Sequence, residues 1–425
     1  MLFVRKFYYV FNRLDMTIEF RIERCEMKKS VYYAIILIAS TILLSCTPAG
    51  AHDFPIAGDA DADMVVSDTE LTFSILAYLD DPSSHLTLNE LRESAHIHAY
   101  YPRTIIDDSP DQKEITIYKP MKRIVVLSSY SAEALRMLNA TDRIVGVSDT
   151  IIDRCPLFMP ELMDIPSVGK SFTPDIERIL VLAPDTILAY ATSLPPEKLD
   201  DKLPEDIRVI RLGFEKPEFM REDFEKLGYL LGKEDQAGEI IDFYDGYTET
   251  ISERVAGLSD EEKPRVYLEG WTNYHTCDSD TSFHEICTIA GGRNIAADIR
   301  VPASQVDPEW VIGENPDIIV KYVGTAQGSG YEADDPESMK AIREEVMNRP
   351  ELANVTAVRN GDVYCIAIQL TSKPRYIIGI AYMAKWMHPE LFEDIDPEAT
   401  NAEYLERFHG MPYRGVYVYP YPQES

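Results

Sequence analysis

Positive charge is scarce in this chain. Its 425 residues hold 41 Lys+Arg against 72 Asp+Glu, a formal net charge of −31. A surface of that sign repels phosphate backbones and anionic headgroups, which argues against nucleic-acid binding and keeps the chain soluble in a salty medium. Cysteine is scarce too. There are six, none in C-x-x-C spacing, which argues against a zinc ribbon. The chain has no P-loop, no G-x-S-x-G elbow and no H-E-x-x-H. The paired glycines of TIAGGRNIA (288–296) follow a helical pattern instead of standing between strand and helix, so they make no dinucleotide loop. No apolar run reaches the ~20 residues that a bilayer-spanning helix needs.

What is present begins with the apolar run at residues 31–45. Met27, Lys28 and Lys29 precede it, and Ser45-Cys46 ends it. A basic start, an apolar middle and a small residue at the end are the layout of a secretory signal peptide. Leu43-Leu44-Ser45-Cys46 resembles the lipobox of exported lipoproteins, which implies that Cys46 carries lipid. Residues 27–45 are then the signal peptide, Met27 is the start, and residues 1–26 are upstream sequence. Residues 1–45 carry 7 Lys+Arg and 4 Asp+Glu, so the remainder from Cys46 has a net charge of −34. In an oxidising compartment Cys155, Cys277, Cys287 and Cys365 are free to pair in three ways, of which Cys277–Cys287 closes the shortest loop. A hydrophobic content of 45% supports a large core and two or three domains.

GDADADMVVSDTEL (58–71) places Asp59, Asp61, Asp63, the Val65 carbonyl, Ser67 and Glu70 at positions 1, 3, 5, 7, 9 and 12 of a calcium loop. Calcium takes six to eight oxygens, and alternate residues of a tight loop supply them. Val66 fills the apolar position 8. Position 6 is Met64 where the sharp turn favours glycine. About 20 residues on, Leu86 matches Val66 and Glu90 matches Glu70, without the acidic ladder. Residues 53–105 resemble a degenerate EF-hand or dockerin-like α-helical module with one possible Ca2+ site. The polar stretch 106–117 reads as a linker.

The body carries a repeat. PDIERILVLAPDTILAY (174–190) aligns without a gap on VDPEWVIGENPDIIVKY (306–322), so that Asp175 meets Asp307, Glu177 meets Glu309, and Tyr190 meets Tyr322. Each stretch predicts a short helix, a proline stop and a buried strand. A strand–loop–helix unit precedes each, opening at Arg123 and at Arg265. Alternating strands and helices predict parallel sheets covered by helices, hence two α/β lobes, 118–216 and 264–412, with a tail at 413–425. Between them, at 217–257, Phe224, Leu227 and Leu231 share a face. Ala237, Ile240, Ile241, Tyr244, Tyr247, Ile251 and Val255 then keep a 3.6-residue period, which predicts one long helix joining the lobes.

KRIVVLSS, VGKSFTPDIERILVLAPDTILAY, the joining helix, EWVIGENPDIIV and RYIIGIAYMAKWMHPELF together resemble the solute-binding proteins of ABC importers for ferric siderophores, haem and cobalamin, over about residues 118–412. The resemblance implies two Rossmann-like lobes joined by a long helix, a ligand cleft between them, and one exposed glutamate per lobe, Glu177 and Glu309, docking onto arginines of the permease. It implies a receptor lipid-anchored on the outer face of the cytoplasmic membrane, working with a permease and its ATPase. Loops after the strands line the cleft and supply Tyr130, Lys170, Phe172, Tyr190, Trp271, Tyr274, Tyr322, Lys373 and Arg375. Aromatic walls suit a large flat ligand, and the basic residues suit an anionic iron chelate such as a ferric siderophore. Cobalamin and haem fit the same walls, with Tyr130, Tyr190 or Tyr274 as candidate haem ligands.

Relatives that carry bare zinc or manganese use histidines from both lobes. Here His275 and His284 fall in lobe two and residues 118–270 contain no histidine, so a two-lobe histidine site cannot form. The expected activity is capture without turnover. A metal-dependent surface enzyme on the same lobes would instead show turnover without a transporter. A surface adhesin acting through the calcium module would bind no small molecule tightly.

Overall fold

The computed structural model describes residues 56–81, 86–191, 194–214, 216–270, 272–299, 305–371 and 374–421. The expected signal peptide, Cys46, Trp271 and Lys373 lie outside them. Chain contacts separate two units, Met1–Thr104 with Thr116–Pro120 and Ile105–Ile115 with Met121–Ser425.

In the first unit two helices start from matching caps. Ser67 caps α1 (Asp68–Asp80) and Thr87 caps α2 (Leu88–Tyr100). Each hydroxyl accepts from the amide of a glutamate three residues on, Glu70 or Glu90, and that carboxylate reaches back to the cap. Two orphan donors are satisfied at each start. The echo between Glu70 and Glu90 is therefore a repeat of helix caps as well as of loop position. Val66, Leu71 and Ile97 are buried.

The stretch expected as a linker is built. β1 (Arg103–Ile106) and β2 (Glu114–Ile117) pair, and Asp107 organises the turn between them. Its carboxylate accepts from the amides of Ser109 and Lys113, both at 3.1 Å, and of Arg211 at 3.3 Å. Aspartate favours turns for this reason, so a polar composition concealed an anchored hairpin.

The larger unit holds both lobes. Lobe one runs β3 (Ile124–Val126), α3 (Ser129–Met137), β4 (Ile144–Val147), α4 (Asp149–Arg154), the hairpin β5 (Gly169–Lys170) and β6 (Thr173–Pro174), α5 (Ile176–Val181), β7 (Thr186–Tyr190) and β8 (Arg208–Leu212). Its sheet has the order β4-β3-β7-β8, all parallel. α6 (Pro217–Leu231) and α7 (Glu234–Val255) follow. Lobe two runs β9 (Arg265–Glu269), α8 (Ser282–Ile289), β10 (Arg293–Asn294), α9 (Pro308–Glu314), β11 (Ile318–Val323), α10 (Glu337–Met347), α11 (Thr356–Asn360), β12 (Val363–Ala367), α12 (Tyr376–Met387), α13 (Pro397–His409) and β13 (Val418–Tyr419). Its order is β10-β9-β11-β12-β13, with β13 antiparallel. The first four strands repeat the order of lobe one. Central strands buried on both faces read as unbroken apolar runs, as in IVV and TILAY, buried at every position.

The joining region is a helical pair. α6 ends at Gly232, whose φ of +69° suits a left-handed cap. α7 then runs 22 residues, about 33 Å. One expectation needs correction. Within the expected tail, residues 413–421 are built into lobe two: Val416, Tyr417 and Val418 are buried, and β13 covers the edge of β12, which would otherwise present unpaired backbone. Cys277, Cys287 and Cys365 are buried thiols that form no disulfide with one another. Burial pushes Cys277, Cys287 and Cys365 up to about 12, which makes them poor nucleophiles for exchange.

Candidate functional site

Ligands of open parallel sheets bind beyond the carboxyl ends of the strands, and in lobe one those ends carry an aromatic group. Ser128 caps α3 directly after β3 and so brings Tyr130 against Tyr190 at the end of β7. Their rings lie edge-on at 5.1 Å. The β5–β6 turn lays Phe172 beside Tyr190 at 5.4 Å. Phe172 is 54% exposed and Lys170 on the same hairpin is exposed. Tyr190 is buried, with its hydroxyl 3.1 Å from Ser129 Oγ and accepting from the Ser129 amide at 3.2 Å. Tyr130, Phe172 and Tyr190 thus form one wall, with Lys170 beside it.

Lobe two is organised differently. Tyr322 is buried against Phe283 at 4.8 Å, and burial pushes its phenol up to about 12. Tyr274 follows β9 in a left-handed conformation, φ +60°. Its hydroxyl donates to Glu351 at 2.5 Å, and Arg349 lies over its ring at 4.9 Å. Partial burial and the Glu351 carboxylate raise it to about 12. The hydroxyls of Tyr190 and Tyr274 are thus engaged within the protein, which disfavours both as iron ligands.

Beneath Tyr274 lies a buried charge cluster. Glu269 is fully buried and Lys321 nearly so, 3.3 Å apart, and Arg349 Nη1 donates to Glu269 at 2.7 Å. Burial lowers the Lys321 ammonium despite its partner. Nothing in the hydropathy pattern of PDIIVKYV signals this cluster, because one charge in a buried strand reads as noise.

Arg375 does not fit the role expected for it. It is buried and makes a two-point ion pair with Glu133 of lobe one, at 2.8 and 3.1 Å. Tyr404 donates to the same carboxylate at 2.9 Å, and the Arg375 guanidinium lies 4.1 Å over the Phe158 ring. Its cationic face is enclosed between the lobes and is closed to a ligand. His409 Nε2 stands 3.9 Å from Glu133. Burial pushes its pKa down to about 3, so it is neutral and this contact is not an ion pair. A second bridge lies at the carboxyl ends of the strands, where Glu332 accepts from the amides of Leu157 and Phe158 at 3.0 and 3.1 Å. Sequence reasoning missed Glu133, Phe158 and Glu332, since pairings across 242 and 175 residues leave no local pattern.

Glu177 and Glu309 occupy the first turns of α5 and α9, capped by Asp175 and Asp307. Both are exposed, and among the described residues neither carboxylate makes an ion pair. In the first unit the carboxylates of Asp59, Asp61 and Asp63 converge within 4.8 Å. Asp59 Oδ1 is buried with no hydrogen-bond partner, while Oδ2 accepts from the Met64 amide at 2.9 Å. Met64 is left-handed, φ +71°, as the sixth position of such a loop requires. Glu70 accepts from the Ala60 amide at 2.7 Å and the Ser67 amide at 2.9 Å, closing the loop onto its helix.

Residues 124–369 match the family model described as periplasmic binding protein. An uncharacterized ABC transporter substrate-binding lipoprotein, YvrC, of Bacillus subtilis is 26% identical over 301 residues, 69% of this chain and 88% of that protein. A vitamin B12-binding protein of Yersinia pestis is 27% identical over 207 residues, 47% of this chain and 69% of its own length. The TroA-like periplasmic binding protein FepB of Veillonella parvula superposes with a TM-score of 0.63 at 27% identity, covering 75% of this chain and 99% of that one. The molybdate-bound MolA of Haemophilus influenzae shares the fold, with a TM-score of 0.60 at 20% identity over 74% of this chain and 99% of its own. The match of the family model to more than half of the 425 residues, on two lobes with one strand order, shows that the chain belongs to the periplasmic binding protein family.

Proposed function

We propose that this protein is the substrate-binding receptor of an ABC importer, held at the membrane by lipid on Cys46, and that it captures an iron chelate of the ferric siderophore class between its lobes. The observation that carries the receptor role is the matched pair Glu177 and Glu309: exposed carboxylates on corresponding helices, three positions after corresponding residues 174 and 306. Exposed carboxylates accept paired hydrogen bonds from guanidinium groups, and two such points on two lobes report lobe spacing to a permease. The wall of Tyr130, Phe172 and Tyr190 with Lys170 favours a large, flat, anionic ligand.

Tryptophan quenching titrations of residues 47–425 with ferric siderophores, cobalamin, haem and molybdate test the cargo. Saturable quenching by a ferric chelate alone is expected, and saturation by cobalamin, haem or molybdate reassigns the ligand. Replacing both Glu177 and Glu309 with alanine should abolish transporter-dependent uptake and leave the titration unchanged. Uptake that survives the double variant overturns the docking assignment.

For the first unit, the convergence of Asp59, Asp61 and Asp63 around an unpartnered Asp59 Oδ1 supports a calcium loop. Burial raises the Asp59 pKa, and the charges of Glu70 and Asp63 add to this, so calcium competes there with a proton and its affinity should fall as pH drops. Calorimetric titration of the wild type and of Asp59→Asn measures this. Equal heats from the two proteins would exclude the site.

A further inference from the structure

The buried charges of lobe two stand where lobe one has none. Glu269, the last residue of β9, is the register partner of Lys321 within β11. The corresponding strands pair Ile124 with Thr186, where β9 and β11 pair Val266 with Ile318. The residues equivalent to Glu269 and Lys321 are therefore Leu127 and Ala189, both fully buried in the core of lobe one. Lobe one fills that position with an apolar pair, and its own buried cation, Arg211, stands one strand further on. Burying an ion pair in place of the apolar one is rarely a gain in stability, so the charges call for another reason.

That reason is visible in the chain between sheet and helix. In lobe one β3 passes to α3 through Leu127 and Ser128 alone. In lobe two residues 270–281 separate β9 from α8, and 272–281 are described as a loop. Lys321 Nζ donates to the carbonyls of Gly270 at 2.7 Å and Thr272 at 3.3 Å, and Glu269 accepts from the Tyr274 amide at 2.6 Å. Every polar group of Tyr274 is held: its amide by Glu269, its hydroxyl by Glu351, its carbonyl by the Val306 amide at 2.9 Å. A left-handed tyrosine persists only under such constraint. The outer side of the loop is tied to the segment that leads into α9. Gln305 Nε2 donates to the Asn273 carbonyl at 2.9 Å, and His275 bridges Gln305. Glu309 lies three residues past Val306.

We infer that Lys321 and Glu269 are positioning residues: they hold the loop after β9 and, through it, the segment 305–309, so that the ligand-facing loop and the docking glutamate of lobe two move as one piece. The functional meaning rests on the receptor reading above, but the mechanical claim does not. Lobe one reaches the same end covalently, since the Phe172 turn runs straight through β6 into α5 and Glu177.

Hydrogen–deuterium exchange on residues 47–425 tests this with two variants. Lys321→Met removes the ammonium at similar length. Lys321→Met with Glu269→Gln removes both charges and leaves the third buried charge, Arg349, with its other partner Glu345 at 3.1 Å. Exchange of peptides covering 272–276 and 305–309 should rise about tenfold in both variants, with β12 (363–367) and lobe one unchanged. A rise spread evenly over lobe two, no rise in the two segments, or failure of both variants to fold would each assign the charges to the sheet itself and overturn the inference. In parallel, the affinity for whichever chelate quenches the wild type should weaken about tenfold in the double variant. If no chelate binds the wild type, the receptor reading fails and the exchange data still decide the positioning role.

Discussion

Single residues here owe their behaviour to enclosure. Asp223 in α6 is fully buried and accepts from the Phe214 amide at 2.6 Å. Burial, and then the neighbouring Asp108 carboxylate, raise its pKa well above the usual carboxylate range. Asp108 is held low despite its own burial, first by the hydrogen bond from the Asp223 carboxyl and then by those from Lys226 at 2.6 Å and the Gly213 amide at 2.8 Å. An acid whose pKa is raised on folding binds more protons in the folded state than in the unfolded one. The stability it contributes is therefore present at low pH and lost as pH rises above the unfolded value of 3.8. Asp223→Asn, a neutral isostere, should raise the melting temperature at pH 8 more than at pH 5, by about 1–2 °C for each ~1 kcal/mol in a chain of this length. Thermal unfolding at the two pH values measures this, and an equal shift at both would place the proton elsewhere. The sequence shows Asp223 as one acid among many in REDFEK; only the approach of Asp108 from 115 residues away marks it out.

Elements were legible where their signal is local. The helix and strand of PDIERILVLAPDTILAY follow from its cap, its proline stop and its buried run, and the copy at 306–322 follows from the same three. α7 follows from its period, with Phe243 as an additional buried position. The misread elements are those whose stability comes from elsewhere. The segment 106–117 is polar by composition, and its structure depends on Asp107 meeting Arg211. VYVYP at 416–420 is too short to read as a strand, yet Val418–Tyr419 becomes one because β12 offers an edge. Cysteine pairing was open by count, and the fold buries Cys277, Cys287 and Cys365 without disulfides among them.

At the scale of the whole molecule, the lobes are joined by more than the helix that links them in sequence. Glu133 and Arg375 form a buried ion pair between lobes, walled by Tyr404 and Phe158. Removing one partner leaves the other charged and enclosed, so Glu133→Ala should cost about 3–5 kcal/mol of stability. Glu133→Leu combined with Arg375→Met should recover much of that loss. Urea unfolding of the three proteins measures it, and a loss below ~1 kcal/mol for Glu133→Ala would mean that water reaches the pair. The sequence alone determined the excess of acidic residues, the doubled α/β plan and the matched positions of Glu177 and Glu309, because each is written in composition or in contiguous residues with a period or a cap. Tertiary structure alone decided which aromatics share a wall, that Arg375 faces Glu133 and not a ligand, and that Lys321 holds a loop. Those outcomes depend on which distant side chains exclude water together, and no local pattern encodes that.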